Sequence, residues 1–263
     1  MNFIRIDDIG ASTKEFNVYG RNTLSINKKT VSFPPIISNF LFMKRFPLFS
    51  GWAKYKELEF NNWIEIINTL KENNSKLNIA ITACWVNENG ELQRFDEKFP
   101  EQVEIIKFGV KENLLYILNH GLTHCIPGRH RPLRFQSGQK FHREFTSFLS
   151  LEKQYMHLRE SQRILKEIFG KSPKILTPPG NMYNEDTLIS MKELGLFIIQ
   201  CDRNTSHQPS DEILLKYCIK HIPNENIKVI HDRDIVQGDP KFFQRLMRQE
   251  FLRNSESFEK LIN

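Results

Sequence analysis

Cysteine is scarce in this chain. There are four in 263 residues, Cys84, Cys125, Cys201 and Cys218, far apart and with no Cys-x-x-Cys pair. That argues against a zinc knuckle or a dense disulfide framework and suits a reducing compartment. No apolar stretch is long enough to span a bilayer. The opening Asn2-Phe3-Ile4-Arg5-Ile6 runs into two acids, unlike the basic-then-apolar pattern of a secretory signal. A cytoplasmic setting is expected. The formal charge of +6 comes without a dense Lys/Arg block alternating with aromatics, so a solvated basic surface is expected, with no nucleic-acid partner. Sequence repeats, low-complexity segments and interdomain linkers are missing too. What remains is an ordinary globular composition, 40% hydrophobic and 26% charged. A chain of this length hides about three quarters of its unfolded surface, and residues 1–263 are expected to form one domain.

The most informative stretch is 113–124. Leu114 to Leu118 reads as a buried strand, and such strands deliver functional side chains at their carboxyl ends, here His120 and His124. The helical His-Glu-x-x-His arrangement does not fit, because Gly121 stands where the glutamate base belongs and is a poor interior helix residue. Two imidazoles make half a metal site, which needs a carboxylate from another strand end.

In chain order, residues 2–8 read as a strand ending in Asp7-Asp8, with Gly10 permitting a sharp turn. Residues 11–59 read as largely irregular, with one strand near Thr30–Phe33 and a core cluster of aromatics from Phe40 to Trp52. A helix is expected over 62–73, capped by Asn61 or Asn62, with Trp63, Ile66, Ile67 and Leu70 on its buried face. Leu77–Val86 reads as one strand, followed by a turn at Asn89-Gly90 and a helix from Pro100 to about Glu112. Residues 125–150 form a long polar connection, and loops of that length are usually functional or mobile. The helix Leu151–Gly170 should bury Leu151, Tyr155, Leu158, Leu165 and Phe169. Lys174–Thr177 is a short strand running into Pro178-Pro179-Gly180-Asn181, followed by a helix from Asn184 to Glu193. Leu196–Cys201 is a strand ending at Asp202, Ile227–Ile230 a strand ending at His231-Asp232, and Phe242–Leu252 the last helix. This alternation implies an α/β fold with a parallel sheet. In a barrel of parallel strands the polar ends converge on one face, where one carboxylate and two imidazoles make a three-ligand zinc site with an open position.

These residues resemble the metal-dependent polysaccharide deacetylases of carbohydrate esterase family 4, which include chitooligosaccharide deacetylases. Asp7-Asp8-Ile9-Gly10 matches the family's opening strand and double aspartate. His120-Gly121-Leu122-Thr123-His124 matches the spacing of its His-(Ser/Thr)-x-x-His motif, and His231 its late strand-end histidine. The fold expected is a distorted (β/α) barrel of about seven parallel strands. The resemblance implies Asp7 as general base, His231 as general acid, and Asp8, His120 and His124 as ligands of a divalent metal, Zn²⁺ first, with Co²⁺, Mn²⁺, Ni²⁺ or Fe²⁺ also acceptable. The implied reaction is hydrolysis of an N-acetylated sugar or glycan intermediate, with metal-activated water attacking the amide carbonyl. A backbone N–H near Gly180-Asn181 would help hold the oxyanion, and Asn181 and Arg143 are the candidate substrate contacts.

Two positions depart from the family pattern. Thr177 stands where the family's Arg-x-Pro motif has the arginine that orients the catalytic aspartate, and Gly121 replaces the usual Ser or Thr. Arg5 is a candidate to supply the missing charge, because positions 5 and 7 share a strand face; Arg143 and Arg203 are the others. Asp202 is expected to fix His231. The bland readings are a turn for Asp-Asp, a hydrogen-bonded structural role for a lone His, and a solvated loop for His142-Arg143-Glu144. The substitution at 177 keeps open a catalytically silent carbohydrate-binding protein on the same fold. A metal hydrolase of another amide or ester is the alternative among enzymes.

Overall fold

The computed structural model describes residues 2–16, 23–26, 29–32, 55–130, 143–203, 208–238, 241–249 and 252–262. The aromatic cluster Phe40–Trp52, Phe33 and His142 lie outside the described residues. Strand β1 (Phe3–Ile9) is buried on both faces: Ile4 and Ile6 alternate with Phe3, Arg5 and Asp7, and all five are buried. Next come β2 (Thr23–Ile26) and β3 (Lys29–Ser32), an antiparallel hairpin in the region where a single strand is expected. The remaining strands are β4 (Leu77–Ile81), β5 (Cys84–Val86), β6 (Leu92–Arg94), β7 (Leu115–Asn119), β8 (Ile175–Leu176), β9 (Ile198–Gln200), β10 (Lys220–Ile222) and β11 (Ile227–His231).

Seven of these strands form one parallel sheet in the order β10-β9-β8-β7-β4-β1-β11. The sheet is curled into a distorted (β/α) barrel with helices outside, the fold class expected from the sequence. Ile4, Ile6, Ile79 and Ile81 pack beneath helices Phe60–Glu72 and Pro100–Lys111 in the largest core cluster. On the other side of the sheet, Phe3, Ala80, Leu118 and Ile175 meet Phe258, whose ring stands edge-on to Phe3 at 5.1 Å. The C-terminal segment thus fills the space between the strands. No helix among the described residues is long and apolar enough to cross a membrane.

Several boundaries differ from expectation. The expected strand Leu77–Val86 is two strands. After Ile81, the Thr82 N–H goes to the Ile9 carbonyl, and those of Ala83 and Cys84 go to Gly121 and Leu122, so the chain turns across the strand ends. Strand β5 then pairs with β6 instead of extending β4. Helix Phe60–Glu72 buries the four residues its spacing predicts, but its N-cap is Glu59; Asn62 works from the third helical position, accepting from the Glu59 N–H at 2.9 Å. Helix Leu151–Phe169 buries Leu158 and Leu165 as expected, but its inward face continues through Gln154, Ser161, Ile164 and Ile168, leaving Leu151 40% exposed. Two polar side chains can occupy that face because each is satisfied. Ser161 Oγ accepts from Asn119 Nδ2 at 2.8 Å, and Gln154 Nε2 donates to the Leu149 carbonyl at 3.1 Å. The last helix stops at Met247.

Ile79 sits at the centre of β4 with no exposure, whereas Leu215 is 74% exposed. Ile79→Ala should cost about 2–5 kcal/mol, and Leu215→Ala less than about 0.5 kcal/mol. Urea denaturation of the two variants checks this, and equal losses would contradict the assignment of the core.

Candidate metal centre

Strict strand alternation would send Asp7 and Asp8 to opposite faces of the sheet. The backbone breaks that rule. Asp8 adopts a left-handed conformation, φ 69°, and the pairing of β1 with β4 shifts register between Ile6 and Ile9. Such a bulge re-aims a side chain, and aspartate tolerates the left-handed region better than most residues. The Asp8 carboxylate thereby reaches the loop that follows β7. Its Oδ1 lies 3.0 Å from His124 Nε2 and 3.4 Å from His120 Nε2. One ligand atom from each of the three side chains lies within 4.8 Å of the others.

Each imidazole is held from its far side. His120 Nδ1 lies 2.6 Å from the Thr177 carbonyl, which sets the ring to donate there and leaves the Nε2 lone pair facing Asp8. His124 Nδ1 lies 3.4 Å from Thr13 Oγ1. His124 Nε2 is buried and, despite its closeness to Asp8, makes no hydrogen bond of normal geometry. An orphaned buried nitrogen beside a carboxylate and a second imidazole is what a divalent cation would satisfy, so these residues fit a zinc-type ion. Burial pushes the Asp8 carboxyl up, but the polar pull of the His120 and His124 imidazoles beside it, with added attraction from His231, outweighs it. Asp8 is held well below the usual carboxylate range.

Asp7 and His231 are register partners across the parallel pair β1–β11. Strands that pair in this way lie about 4.8 Å apart, so the two residues stand at one level on one face. Asp7 Oδ2 receives Arg5 Nη2 at 2.6 Å, a pair in which Arg5 is 1% exposed, while Asp7 Oδ1 has no hydrogen-bond partner among the described residues. Of the other candidate arginines, Arg203 pairs with Asp211, and Arg143 lies half-buried beside Glu144. Thr177 meets His120 through its backbone carbonyl, and its buried hydroxyl has no hydrogen-bond partner among the described residues. The His231 side chain is about one third exposed, and its neighbouring carboxylate is Asp234 at 4.0 Å. Asp202 follows β9, with four strands between it and β11 in sheet order. At Asn181 the N–H donates to the Pro178 carbonyl at 3.0 Å. The Asn181 side chain accepts from the Asp202 N–H at 3.4 Å.

A second cluster ties these strand ends together and escaped the sequence reading. Lys14 is fully buried, with its ammonium on Asp232 and 2.6 Å from Glu57. Glu57 also accepts from the Gly10 N–H at 2.8 Å, and Tyr55 donates to Asp232 at 2.9 Å. Burial pushes the Asp232 carboxyl up to about 8 against the pull of Lys14. Burial works against the Lys14 ammonium, yet Asp232 and Glu57 hold its pKa above the usual value. The cluster joins the turn after Asp8 to the residue after His231. The only advance signal was the acid beside His231, because a lysine at position 14 and a glutamate at 57 carry no motif. Nor was Glu144 foreseen: it is fully buried, not part of a solvated loop. The cavity of about 700 Å³ bordered by Leu115, Tyr116, Lys174 and Leu196 opens at the amino ends of the strands, away from this chemistry.

A family model described as polysaccharide deacetylase matches residues 57–199, more than half of the chain. That span contains His120, His124 and Thr177 and excludes Asp7, Asp8 and His231, which enter through the geometry above. No curated protein sequence matches the chain. Among solved structures, similarity extends to a CE4 family pseudoenzyme from Bacillus anthracis, with 13% identity, TM-score 0.45, and coverage of 78% of this chain and 62% of that one. It also extends to a family 4 acetyl xylan esterase from Clostridium thermocellum in complex with cobalt, with 11% identity, TM-score 0.45, and coverage of 77% and 84%. The chain therefore spans less than two thirds of the first.

Lys14→Met leaves two buried carboxylates without their cation and should cost about 3–5 kcal/mol in chemical denaturation. Adding Asp232→Asn should recover part of that loss. A loss below about 1 kcal/mol would show that the cluster is not a buried ion network.

Proposed function

This chain belongs to the polysaccharide deacetylase family, and from that premise we propose that residues 1–263 form one catalytic domain that removes an acetyl group from an N-acetylated sugar or glycan intermediate. The observation that carries the reading is the convergence of Asp8, His120 and His124, with Asp7 and His231 in register on the neighbouring strands β1 and β11. Asp8, His120 and His124 would hold a divalent ion, Zn²⁺ first, whose Lewis acidity polarises the amide carbonyl and lowers the pKa of water from about 15.7 to near 7.

The remaining steps belong to the chain's own side chains. Asp7 takes the water proton through its free Oδ1 as the water oxygen bonds to the carbonyl carbon. His231 gives a proton to the amide nitrogen as the C–N bond breaks, releasing acetate and a free amine. Each transfer is worth ~10²–10⁴ in rate. Arg5 holds the other oxygen of Asp7 and fixes its orientation, the task that the family motif assigns to an arginine at the position of Thr177. That pairing favours the enzyme over the silent carbohydrate-binding protein, because the substitution at 177 motivated the silent reading. Exposure of His231 to solvent suits a residue that meets a leaving group. Four free cysteines, three of them buried, support a cytoplasmic setting and a biosynthetic substrate.

Acetate release from N-acetyl sugars by the zinc-loaded protein tests the reading. Asp7→Asn should lower kcat at least about 10²-fold while leaving zinc affinity unchanged. His120→Ala should abolish zinc binding and turnover together. Zinc binding by the unaltered chain with no acetate released from any acetylated substrate would instead favour the silent protein. For Arg5, replacement by Met should lower kcat more than it raises KM. Unchanged kcat would remove Arg5 from its role toward Asp7.

A further inference from the structure

Glu144 is fully buried, and it lies against the loop that carries His120 and His124 although the family pattern does not name it. Its Oε2 accepts from the N–H groups of Thr123 at 3.2 Å and His124 at 2.9 Å, and its Oε1 from Leu122 at 3.0 Å. His157 Nδ1 closes the set, 2.6 Å from Oε1. Three successive backbone N–H groups thus cradle one carboxylate, the arrangement by which loops bind anions. Here the anion comes from the chain itself. The next residue, Phe145, is wholly buried among Leu158, Leu176 and Tyr183, which pins the carboxylate in place.

The cradled loop is the one that carries both imidazoles. His124 has a left-handed backbone, φ 57°, and its own N–H is one of the three bonded to Glu144. Gly121 is likewise left-handed, φ 84°, and a Cβ added there would overlap Glu144 Oε2. The missing side chain at 121 and the carboxylate from 144 are therefore one feature: the carboxylate occupies the space that Ser or Thr would need. We propose that Glu144 is the positioning residue for His120 and His124, setting their backbone so that both Nε2 atoms face Asp8. The assignment rests on the deacetylase reading where the metal is concerned, and on geometry alone where the imidazoles are concerned.

Removing the carboxylate leaves three buried N–H groups without an acceptor, so the loop must rearrange to hydrate them, taking His124 with it. The test uses the full chain with Glu144→Ala, Glu144→Gln, Gly121→Ser and the double variant Glu144→Ala/Gly121→Ser. Two readouts are taken: imidazole ¹⁵N NMR of the metal-free protein and Zn²⁺ affinity by chelator competition. Glu144→Ala should shift the His120 and His124 signals toward free-histidine values and weaken Zn²⁺ about 10–100-fold, the usual scale for a group that orients a ligand. Glu144→Gln, which keeps its volume and one accepting oxygen, should lie between, and it carries the comparison if the alanine variant does not fold. Gly121→Ser alone should be as damaging as Glu144→Ala, while the double variant should lose no more than Glu144→Ala alone, because the overlap has gone.

Native imidazole spectra and Zn²⁺ affinity within twofold in Glu144→Ala would overturn the proposal, as would strictly additive losses in the double variant. If the unaltered chain binds no Zn²⁺, the deacetylase reading falls. The imidazole spectra and the double variant then decide the Glu144 assignment without the metal.

Discussion

Asp8 carries its charge where only 15% of its side chain reaches solvent, and the arrangement of the strand ends around it follows from that. A carboxylate so enclosed is costly unless donors or cations surround it. Two imidazoles from the loop after β7 meet it on one side. The price of aiming it there is a left-handed aspartate and a broken register in β1. Seven parallel strands bring the partners within reach, because their carboxyl ends open on one side of the sheet. Around this centre the charges are arranged in pairs. Arg5 offsets Asp7, Lys14 offsets Glu57 and Asp232, and the N–H groups after His120 offset Glu144.

In the Arg5–Asp7 pair a guanidinium meets the aspartate from a position other than the one the family motif uses. The family places the orienting arginine at the strand end occupied here by Thr177. In this chain the guanidinium comes from two residues upstream of the aspartate, on the same strand and the same face. Thr177 keeps a different duty, offering its carbonyl to His120. That duty needs only backbone, so the side chain there is free to change. A similar exchange links Gly121 to Glu144, where a side chain is lost from one segment and a carboxylate arrives from another.

Much of this was legible beforehand. The parallel α/β sheet, the strands ending at Asp7-Asp8 and at His231, and the His120/His124 pair all follow from apolar runs that stop abruptly at polar residues. Periodicity located most of the helices. It found Leu158 and Leu165 on the buried face of Leu151–Phe169 but missed Gln154 and Ser161, which look like surface residues until their partners are known. It merged β4 and β5 because an apolar run does not announce where its hydrogen bonds change partners. Lys14, Glu57 and Glu144 were invisible for one shared reason. Each is a charged residue that by composition belongs outside, and only a contact distant in sequence makes it buried. Asp202 was assigned to His231 on position alone; it follows β9, while His231 ends β11.

The central claim is that Asp8, His120 and His124 close on one cation. Anomalous diffraction at the zinc absorption edge, from crystals grown with Zn²⁺, tests it most directly. The account predicts one strong peak per chain, bounded by an Asp8 carboxylate oxygen and the Nε2 atoms of His120 and His124. A peak elsewhere, or none at this site in crystals that hold zinc, would contradict it.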